Sequence, residues 1–204
     1  MGRVMLIAFE GLDQSGKETQ ARHLRARLEQ DGRKVRVVSF PDYGTPIGQE
    51  IQRALAGERD FGPEVMQLLY VANRFELRPR LRSWLEAGDI VICDRYRASS
   101  IAYGEAQGLD PAWLDDIQRH LPETSLTLLL DIAPETAVAR KSAGRDRYER
   151  DMGLLSRVRD SYRRQASGPR WAVIDGSQTP DDVATAVARV VASALEPPST
   201  PARP

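Results

Sequence analysis

Apolar residues along the chain follow two patterns, one typical of buried strands and one of amphipathic helices. Five short apolar runs have the length of strands that are covered on both faces: residues 4–9, 35–40, 89–94, 126–131 and 171–175. Between these runs, apolar residues recur at helical spacing, as Ile47, Ile51, Ala54 and Leu55 do. Strands that alternate with helices predict an α/β fold, a doubly wound sheet of five parallel strands with helices on both faces.

Proline and glycine mark the ends of the predicted helices. Pro63 begins a long helix that reaches Gly88, and Pro79 within it is expected to kink or break that helix. A shorter helix is predicted over residues 111–120. Thr179 has the side chain of a helix N-cap and precedes the last apolar stripe.

Neither a linker nor an internal repeat divides the chain, so we predict one domain over residues 1–195. The charged segment around residues 141–152 has little to bury and is predicted to form a small lid. Residues 196–204 are rich in proline and are predicted to be a disordered tail.

Charge and cysteine content restrict the class of protein. The chain has 29 basic and 29 acidic residues, which gives no overall surface for nucleic acid or membrane. Cys93 is the only cysteine, so an internal disulfide is excluded and a reducing compartment is favoured. The apolar run at the N-terminus is too short for a signal peptide or a membrane span. These features together predict a cytoplasmic location.

The most informative stretch, GLDQSGKET, follows the first predicted strand and leads into a helix. Gly11 and Gly16 would let the backbone curl so that several N–H groups point at one anion, and Lys17 would bring a mobile charge to terminal phosphates. The alternative is an ordinary glycine-containing turn with a solvated lysine, which GxxxxGK after a strand disfavours. The predicted ATP-binding segment is Gly11, Leu12, Asp13, Gln14, Ser15, Gly16, Lys17, Glu18 and Thr19.

One position departs from this P-loop pattern. The residue after the lysine normally carries a hydroxyl that ligates Mg²⁺, and here it is Glu18. Two interpretations stay open: Glu18 binds Mg²⁺ directly or through water, or it faces solvent as an acid at a helix N-terminus. Thr19 cannot replace the hydroxyl, because one residue along a helix turns the side chain by about 100°.

Ligands of doubly wound sheets bind at the carboxyl ends of the strands. Gly11, Phe40-Pro41, Asp94 and Asp131 end or follow four of the predicted strands and should therefore surround one crevice. Asp94 is placed to act on Mg²⁺, and Arg95 offers a planar fork that can bind phosphate bidentately. A structural Asp–Arg pair is the alternative for these two residues.

The residues after Asp94 extend this pair to DRYxxSxxAYG. With Phe40-Pro41, ANR at residues 72–74 and DRYE at residues 146–149, the chain closely resembles the thymidylate kinase (dTMP kinase) family over about residues 3–195. The resemblance implies a P-loop nucleoside monophosphate kinase that transfers the γ-phosphoryl group of ATP to dTMP. It also implies Mg²⁺ as cofactor and a homodimer.

The resemblance also implies an acceptor site. Tyr70 matches the aromatic residue that stacks on thymine, and Arg74, one helical turn later, matches the arginine that reaches the base and the acceptor phosphate. Ser100 occupies the position that meets the base edge, Tyr103 matches the aromatic residue under the sugar, and Arg95 matches the arginine on the dTMP phosphate. The implied acceptor residues are Phe40, Tyr43, Tyr70, Arg74, Arg95, Ser99, Ser100 and Tyr103.

Two departures from relatives redistribute positive charge. Many relatives have an arginine at the position of Tyr43, so phosphate binding here should depend more on Arg95 and Arg74. The P-loop itself carries no arginine, so Arg147 and Arg145 in the lid should supply charge over the transferring group, as in the bacterial-type branch. The implied catalytic residues are Lys17, Arg95, Arg147 and the loop acid Asp13, with Arg145 on ATP.

The predicted reaction needs no general base, because the acceptor phosphate, with a second pKa of about 6, is already an anion at neutral pH. Two other functions are compatible with the motifs. One is a kinase for another nucleotide, which parallel assays with several monophosphates would identify. The other is a P-loop sensor without kinase activity, which would consume no ATP whether or not dTMP is present.

Overall fold

Five parallel strands form one sheet in the order β2-β3-β1-β4-β5 in the computed structural model, which describes residues 5–140 and 151–196. The strands are β1 (Met5–Glu10), β2 (Val35–Ser39), β3 (Ile90–Asp94), β4 (Leu126–Asp131) and β5 (Trp171–Asp175). This confirms the predicted doubly wound sheet, and the observed strand ends differ from the predicted ones by at most one residue.

Helices connect successive strands and cover both faces of the sheet. In the described residues they are α1 (Lys17–Gln30), α2 (Pro46–Leu55), α3 (Pro63–Glu86), α4 (Arg97–Ala106), α5 (Pro111–Asp116), α6 (Pro134–Arg140), α7 (Met152–Gln165) and α8 (Pro180–Leu195). The Thr179 side chain accepts a hydrogen bond from the Asp182 N–H, which confirms the predicted cap of the last helix. Within the two described ranges, no helix has both the length and the apolar content that a membrane crossing requires.

Strand β1 lies in the centre of the sheet, and all six of its residues are buried. Met5, Ile7 and Phe9 point to one face, where they join the core formed with α1 and α8. Leu6 and Ala8 point to the other face and pack with α3. Because side chains alternate along a strand, both faces must be apolar, and this explains the uninterrupted apolar run in the sequence.

Pro79 was expected to kink or break helix α3, and of these two outcomes the break does not occur, since α3 runs continuously from Pro63 to Glu86. Pro79 is exposed, so water can hydrogen-bond the carbonyl group four residues earlier that loses its N–H partner. On the same helix, the apolar side chains of Leu77 and Leu81 remain packed on the sheet. Burial of the helix face therefore outweighs the local cost of the proline.

Helix α5 is shorter than predicted and ends at Asp116 instead of continuing to residue 120. The chain then turns through tight hydrogen bonds, from the Gln118 N–H to the Asp115 carbonyl and from the Leu121 N–H to the Gln118 carbonyl. The buried Gln118 side chain donates to the Leu114 carbonyl at 2.9 Å, which stabilises this turn.

The loop between β2 and α2 is held by α3. The buried side chain of Asn73 accepts a hydrogen bond from the Asp42 N–H at 2.8 Å and donates to the Thr45 hydroxyl at 2.7 Å. Helix α2 approaches the same loop so closely that a Cβ atom at Gly48 would lie 1.7 Å from the Asp42 carbonyl oxygen. Both helices therefore fix the position of the segment that carries Phe40 and Tyr43.

We expect Gly48→Ala to lower the free energy of unfolding by about 2–3 kcal/mol, because the added methyl group overlaps the Asp42 carbonyl and forces the loop away. Gly153→Ala is the matched control in the first turn of α7, since its added Cβ would meet only side-chain atoms of Asp151 and Arg157, at 3.3 and 3.4 Å. That change should stay within about 1 kcal/mol. Urea unfolding measures both variants, and equal stabilities would contradict the clash.

Candidate active site

The segment between β1 and α1 has the curled backbone that a phosphate-binding loop requires. Gly11 and Gly16 have φ angles of 137° and 95°, a region that side chains rarely permit. A Cβ atom at Gly11 would also lie 2.5 Å from the Leu130 carbonyl oxygen of β4. Glycine is therefore required at Gly11 both for the backbone angle and for the space.

Lys17 is folded back over this loop and is buried. Its Nζ atom donates to the Leu12 carbonyl at 2.8 Å and to the Gly11 carbonyl at 3.3 Å. Burial, aided by the charge of Arg95, lowers the pKa of Lys17 from 10.5 to about 8, although the carboxylates of Asp13 and Asp94 act in the opposite direction. The buried environment thus disfavours the charged form of the Lys17 amine, and a bound anion would stabilise that form.

Arg95 joins the end of β3 to the P-loop. Its backbone is left-handed, with φ 64°, and this places the side chain across the neighbouring β1–α1 turn. The guanidinium donates from Nη1 to the Gly11 carbonyl at 3.0 Å and from Nη2 to the Asp13 carboxylate at 2.5 Å. It also lies over the Tyr103 ring, 5.3 Å from the ring centre. Arg95 therefore contacts both the P-loop and helix α4.

The charges of Asp13 and Arg95 stabilise each other. Burial alone would raise the pKa of Asp13, but Arg95 and Lys17, with a hydrogen bond from Tyr103, hold that pKa well below its usual range. For Arg95, burial opposes the charged form, yet the charge of Asp13 keeps its pKa well above the usual value. Both groups are therefore ionised at neutral pH.

Glu10, a buried acid that the sequence analysis did not single out, is linked to this ion pair by hydrogen bonds through Ser99 and Tyr162. Glu10 is 0% exposed and accepts hydrogen bonds from the Ser99 hydroxyl at 2.6 Å and from the Tyr162 hydroxyl at 3.0 Å. Tyr162 in turn receives a hydrogen bond from Arg95 at 3.2 Å. Glu10 could have been identified from the sequence, because it is an acidic residue that ends an apolar strand directly before Gly11. The sequence around Tyr162 contains no motif that would have indicated its place in the site.

A cleft next to Arg95 lies between the β2–α2 loop, α3 and α4. It brings together all eight residues that the resemblance assigned to the acceptor: Phe40, Tyr43, Tyr70, Arg74, Arg95, Ser99, Ser100 and Tyr103. The cleft is also lined by Asp13 and by Pro41, which was predicted with Phe40 at this edge of the sheet. Three further lining residues were not indicated by the sequence: Leu55, Gln67 and Gln107. The convergence of the eight assigned residues supports the assignment, and their roles with substrate stay predictions.

Arg74 is fixed at the inner end of this cleft, where it is 3% exposed. Its Nη1 atom donates to the Ser100 hydroxyl at 2.7 Å and to the Gln118 side chain at 3.2 Å. The guanidinium lies 5.9 Å from the centre of the Phe40 ring. Burial lowers the pKa of Arg74, and the charge of Glu10 partly offsets this effect. Arg74 and Ser100 are therefore a single hydrogen-bonded unit.

Asp131 does not join the crevice, contrary to the prediction. Its carboxylate is paired with Arg159 at 2.7 Å and with Arg163 at 2.6 Å, both on α7. Burial would raise the pKa of Asp131, but hydrogen bonds from these two arginines lower it overall. The end of β4 thus holds α7 against the sheet instead of facing a ligand.

The two predicted magnesium ligands have different surroundings. Asp94 is partly buried and close enough to Lys17 for its charge to offset part of the lowering of that lysine's pKa, whereas Glu18 is exposed on the first turn of α1. Across residues 5–140 and 151–196, no group of three or more histidine, cysteine or acidic side chains could hold a metal. Mg²⁺ in kinases needs only one or two carboxylates together with substrate phosphates, so Asp94 fits this role.

The predicted lid arginines Arg145 and Arg147 lie outside the described residues. Just before them, Arg140 donates to the Gln14 carbonyl of the P-loop at 3.1 Å and to the Gly176 carbonyl at 3.0 Å. The chain therefore leaves α6 in direct contact with the P-loop.

Comparison with known proteins agrees with the geometry of this site. Residues 9–187 match the family model "Thymidylate kinase". A thymidylate kinase of Thermomicrobium roseum is 37% identical, over 93% of this chain and 95% of the relative, and one of Arabidopsis thaliana is 35% identical, over 93% and 71%. The structure of thymidylate kinase from Candida albicans superimposes with a TM-score of 0.82 at 30% identity, covering 96% of this chain and 95% of that one. The chain belongs to the thymidylate kinase family.

Proposed function

We propose how this chain carries out the ATP-dependent phosphorylation of dTMP to dTDP that defines its family. ATP binds with its phosphates on the P-loop, and dTMP binds in the cleft between α3 and α4. The observation that carries this proposal is the position of Arg95, which contacts Gly11 and Asp13 of the P-loop and lines the acceptor cleft. A guanidinium at that junction can bind the acceptor phosphate where it meets the γ-phosphate of ATP.

On the ATP side, the backbone N–H groups of the P-loop and the N-terminus of α1 bind the phosphates. Lys17 leaves the Leu12 carbonyl and pairs with the terminal phosphates. Asp94 is the carboxylate that would hold Mg²⁺, and Glu18, which is exposed, would contribute at most through water. When bound, Mg²⁺ would neutralise charge on the transferring group.

On the acceptor side, Arg95 binds the dTMP phosphate, while Tyr70 stacks on the base and Tyr103 packs against the sugar. Arg74 and Ser100 act together on the base, because the guanidinium already donates to the hydroxyl. Asp13 accepts from both Arg95 and Tyr103, so it orients the phosphate-binding arginine and the sugar platform at once. Catalysis then consists of alignment and charge neutralisation, since the acceptor is already an anion.

Arg145 and Arg147, in a lid of about residues 141–152, supply the remaining positive charge over the transferring group. This role is supported by the P-loop, whose variable positions Gln14 and Ser15 carry no charge. Closure of the lid would also exclude water and limit hydrolysis of ATP.

A homodimer and a cytoplasmic location complete the proposal. Val65 and Leu68 on α3 are 43% and 47% exposed and lie three residues apart on one helix face, so a second copy packed on α3 would bury them. Sedimentation velocity distinguishes such a dimer from a monomer.

The cytoplasmic location is supported by the single cysteine, Cys93, which is buried and unpaired.

We expect Arg95→Ala to remove nearly all turnover, because it deletes the only guanidinium that contacts both the P-loop and the acceptor cleft among the described residues. A coupled assay of ADP release measures this, with dTMP, dUMP, dCMP, GMP and thymidine as acceptors of the wild-type protein. Arg97→Ala is the control, since Arg97 forms an ion pair with Asp115 away from this cleft. Near-normal turnover in Arg95→Ala, or ADP release that does not require dTMP, would contradict the proposal.

The affinity for ATP should fall as the pH rises through about 8, since the free protein then loses the Lys17 proton and phosphate binding must take one up. Dissociation constants from calorimetry between about pH 7 and pH 10 measure this change, which approaches tenfold per pH unit. Lys17→Arg keeps its charge over this range and should flatten the dependence. An affinity of the wild-type protein that stays constant with pH would be inconsistent with this role of Lys17.

Arg147→Ala should lower kcat by a factor of about 100 or more, with a much smaller change in the KM for dTMP, because the lid charge acts on the transferring group in the transition state. Steady-state kinetics measure both constants. Arg164→Ala is the control, because Arg164 forms an exposed ion pair with Glu105. The reverse pattern, a raised KM with normal kcat, would place Arg147 on the acceptor.

A further inference from the structure

Helix α4 is capped at its N-terminus by a residue of another element. Tyr96, at the N-cap position, makes no capping hydrogen bond with its own side chain. Instead, the Oε1 atom of Glu10, at the end of β1, accepts from the Tyr96 N–H at 2.8 Å and from the Ser99 N–H at 3.3 Å. N–H groups at the start of a helix have no partner within the helix, and a carboxylate placed there is favourable. Glu10 therefore attaches the start of α4 to β1.

The residue directly before this capped turn is Arg95, whose backbone is in an unfavourable conformation. Its φ of 64° lies in the left-handed region, which residues other than glycine rarely adopt unless the surrounding structure enforces it. Two hydrogen bonds to β1 enclose this residue: the Arg95 N–H donates to the Phe9 carbonyl at 2.9 Å, and the next N–H, of Tyr96, donates to Glu10. Glu10 thus helps to hold the backbone that directs the Arg95 side chain to the P-loop.

The other oxygen of Glu10 sets the direction of the hydrogen bonds that reach the Arg95 guanidinium. A guanidinium only donates, and an ionised carboxylate only accepts. Between them, the hydroxyls of Ser99 and Tyr162 donate to Oε2 of Glu10, at 2.6 and 3.0 Å. Their lone pairs are then available to Nη1 of Arg95, which donates to each hydroxyl at 3.2 Å. The donors are therefore ordered from Arg95 through the two hydroxyls to Glu10.

Glu10 does not itself line the acceptor cleft. It is 0% exposed and is not among the described residues that surround that cleft, so it can act on an acceptor only through the groups that it bonds. A buried charge is unfavourable, and an apolar residue of similar volume often stabilises a fold as well or better. An acid at this position therefore indicates that the orientation of its donors is required.

We propose that Glu10 is a positioning residue that keeps the Arg95 guanidinium at the junction of the P-loop and the acceptor cleft. It acts through both of its oxygens: Oε1 holds the backbone after Arg95, and Oε2 orients the two hydroxyls that receive Nη1. The inference rests on the proposed function, because it requires Arg95 to bind the acceptor phosphate. Glu10 then determines how much of the binding energy of dTMP comes from its phosphate.

The test compares dTMP with thymidine, which lacks the phosphate, as ligands of Glu10→Gln. The glutamine keeps the shape and the oxygen that caps α4, but its NH₂ group donates to the two hydroxyls and competes with Arg95 for their lone pairs. Calorimetry gives the dissociation constant of each ligand, and their ratio, thymidine over dTMP, isolates the phosphate contact. We expect this ratio to fall about tenfold in Glu10→Gln, while the dissociation constant of thymidine changes by less than about threefold.

Asp89→Asn is the matched control, because Asp89 is also a buried acid but precedes β3 at the opposite end of the sheet, where it pairs with Arg36 at 2.9 Å and with Lys34 at 3.2 Å. This variant should lower Tm and keep the wild-type ratio. If Glu10→Gln does not fold, Tyr162→Phe removes one of the two intervening hydroxyls and should lower the ratio at least about threefold.

A wild-type ratio in folded Glu10→Gln, or in Tyr162→Phe where that variant replaces it, would overturn the inference. An equal fall of the ratio in Asp89→Asn would also overturn it, since the effect would then follow from lost stability. A wild-type protein that binds dTMP no more tightly than thymidine, or that makes no dTDP, would instead refute the proposed function and the inference with it.

Discussion

The ion pair between Arg95 and Asp13 is the interaction on which the arrangement of the site depends. It connects the ends of two neighbouring strands, since Arg95 follows β3 and Asp13 follows β1. The Arg95 N–H strengthens this connection by donating to the Phe9 carbonyl of β1 at 2.9 Å. The pair holds the P-loop and the cleft between α3 and α4 in one orientation. In phosphoryl transfer, where alignment provides most of the catalysis, that fixed relation between the two subsites is the main requirement.

Burial makes this pair costly, and the surroundings offset the cost. Removing two charges from water is unfavourable unless further hydrogen bonds satisfy them. Arg95 therefore also donates to the Ser99 hydroxyl at 3.2 Å and to Tyr162, and both of these groups are bonded to the buried carboxylate of Glu10. The network links β1, α4 and α7 next to the P-loop, so Arg95 and helix α4 are held by one set of polar contacts. Its value lies in the orientation that it imposes.

Three residues in or beside the site have buried polar atoms without hydrogen-bond partners among the described residues. The Gln67 amide, the Nε atom of Arg74 and the Ser15 hydroxyl lack hydrogen-bond partners within the described residues, and Gln67 and Arg74 belong to the residues that line the cleft. Buried polar atoms without partners are unfavourable in the free protein. The free protein therefore keeps these polar groups in or beside its candidate site at a cost in its own stability.

Local patterns in the sequence determined the five strands, the glycine-bounded loop and the family, because each depends on neighbouring residues or on a motif with strict spacing. They could not predict that α3 continues through Pro79 or that Asp131 pairs with α7, since both outcomes depend on packing between distant segments. Glu10 could have been found as an acid beside Gly11, whereas Gln67 and Tyr162 had no local signal. Which polar side chains are buried, and which of them find a partner, was decided only when helices far apart in the chain closed around the same cleft.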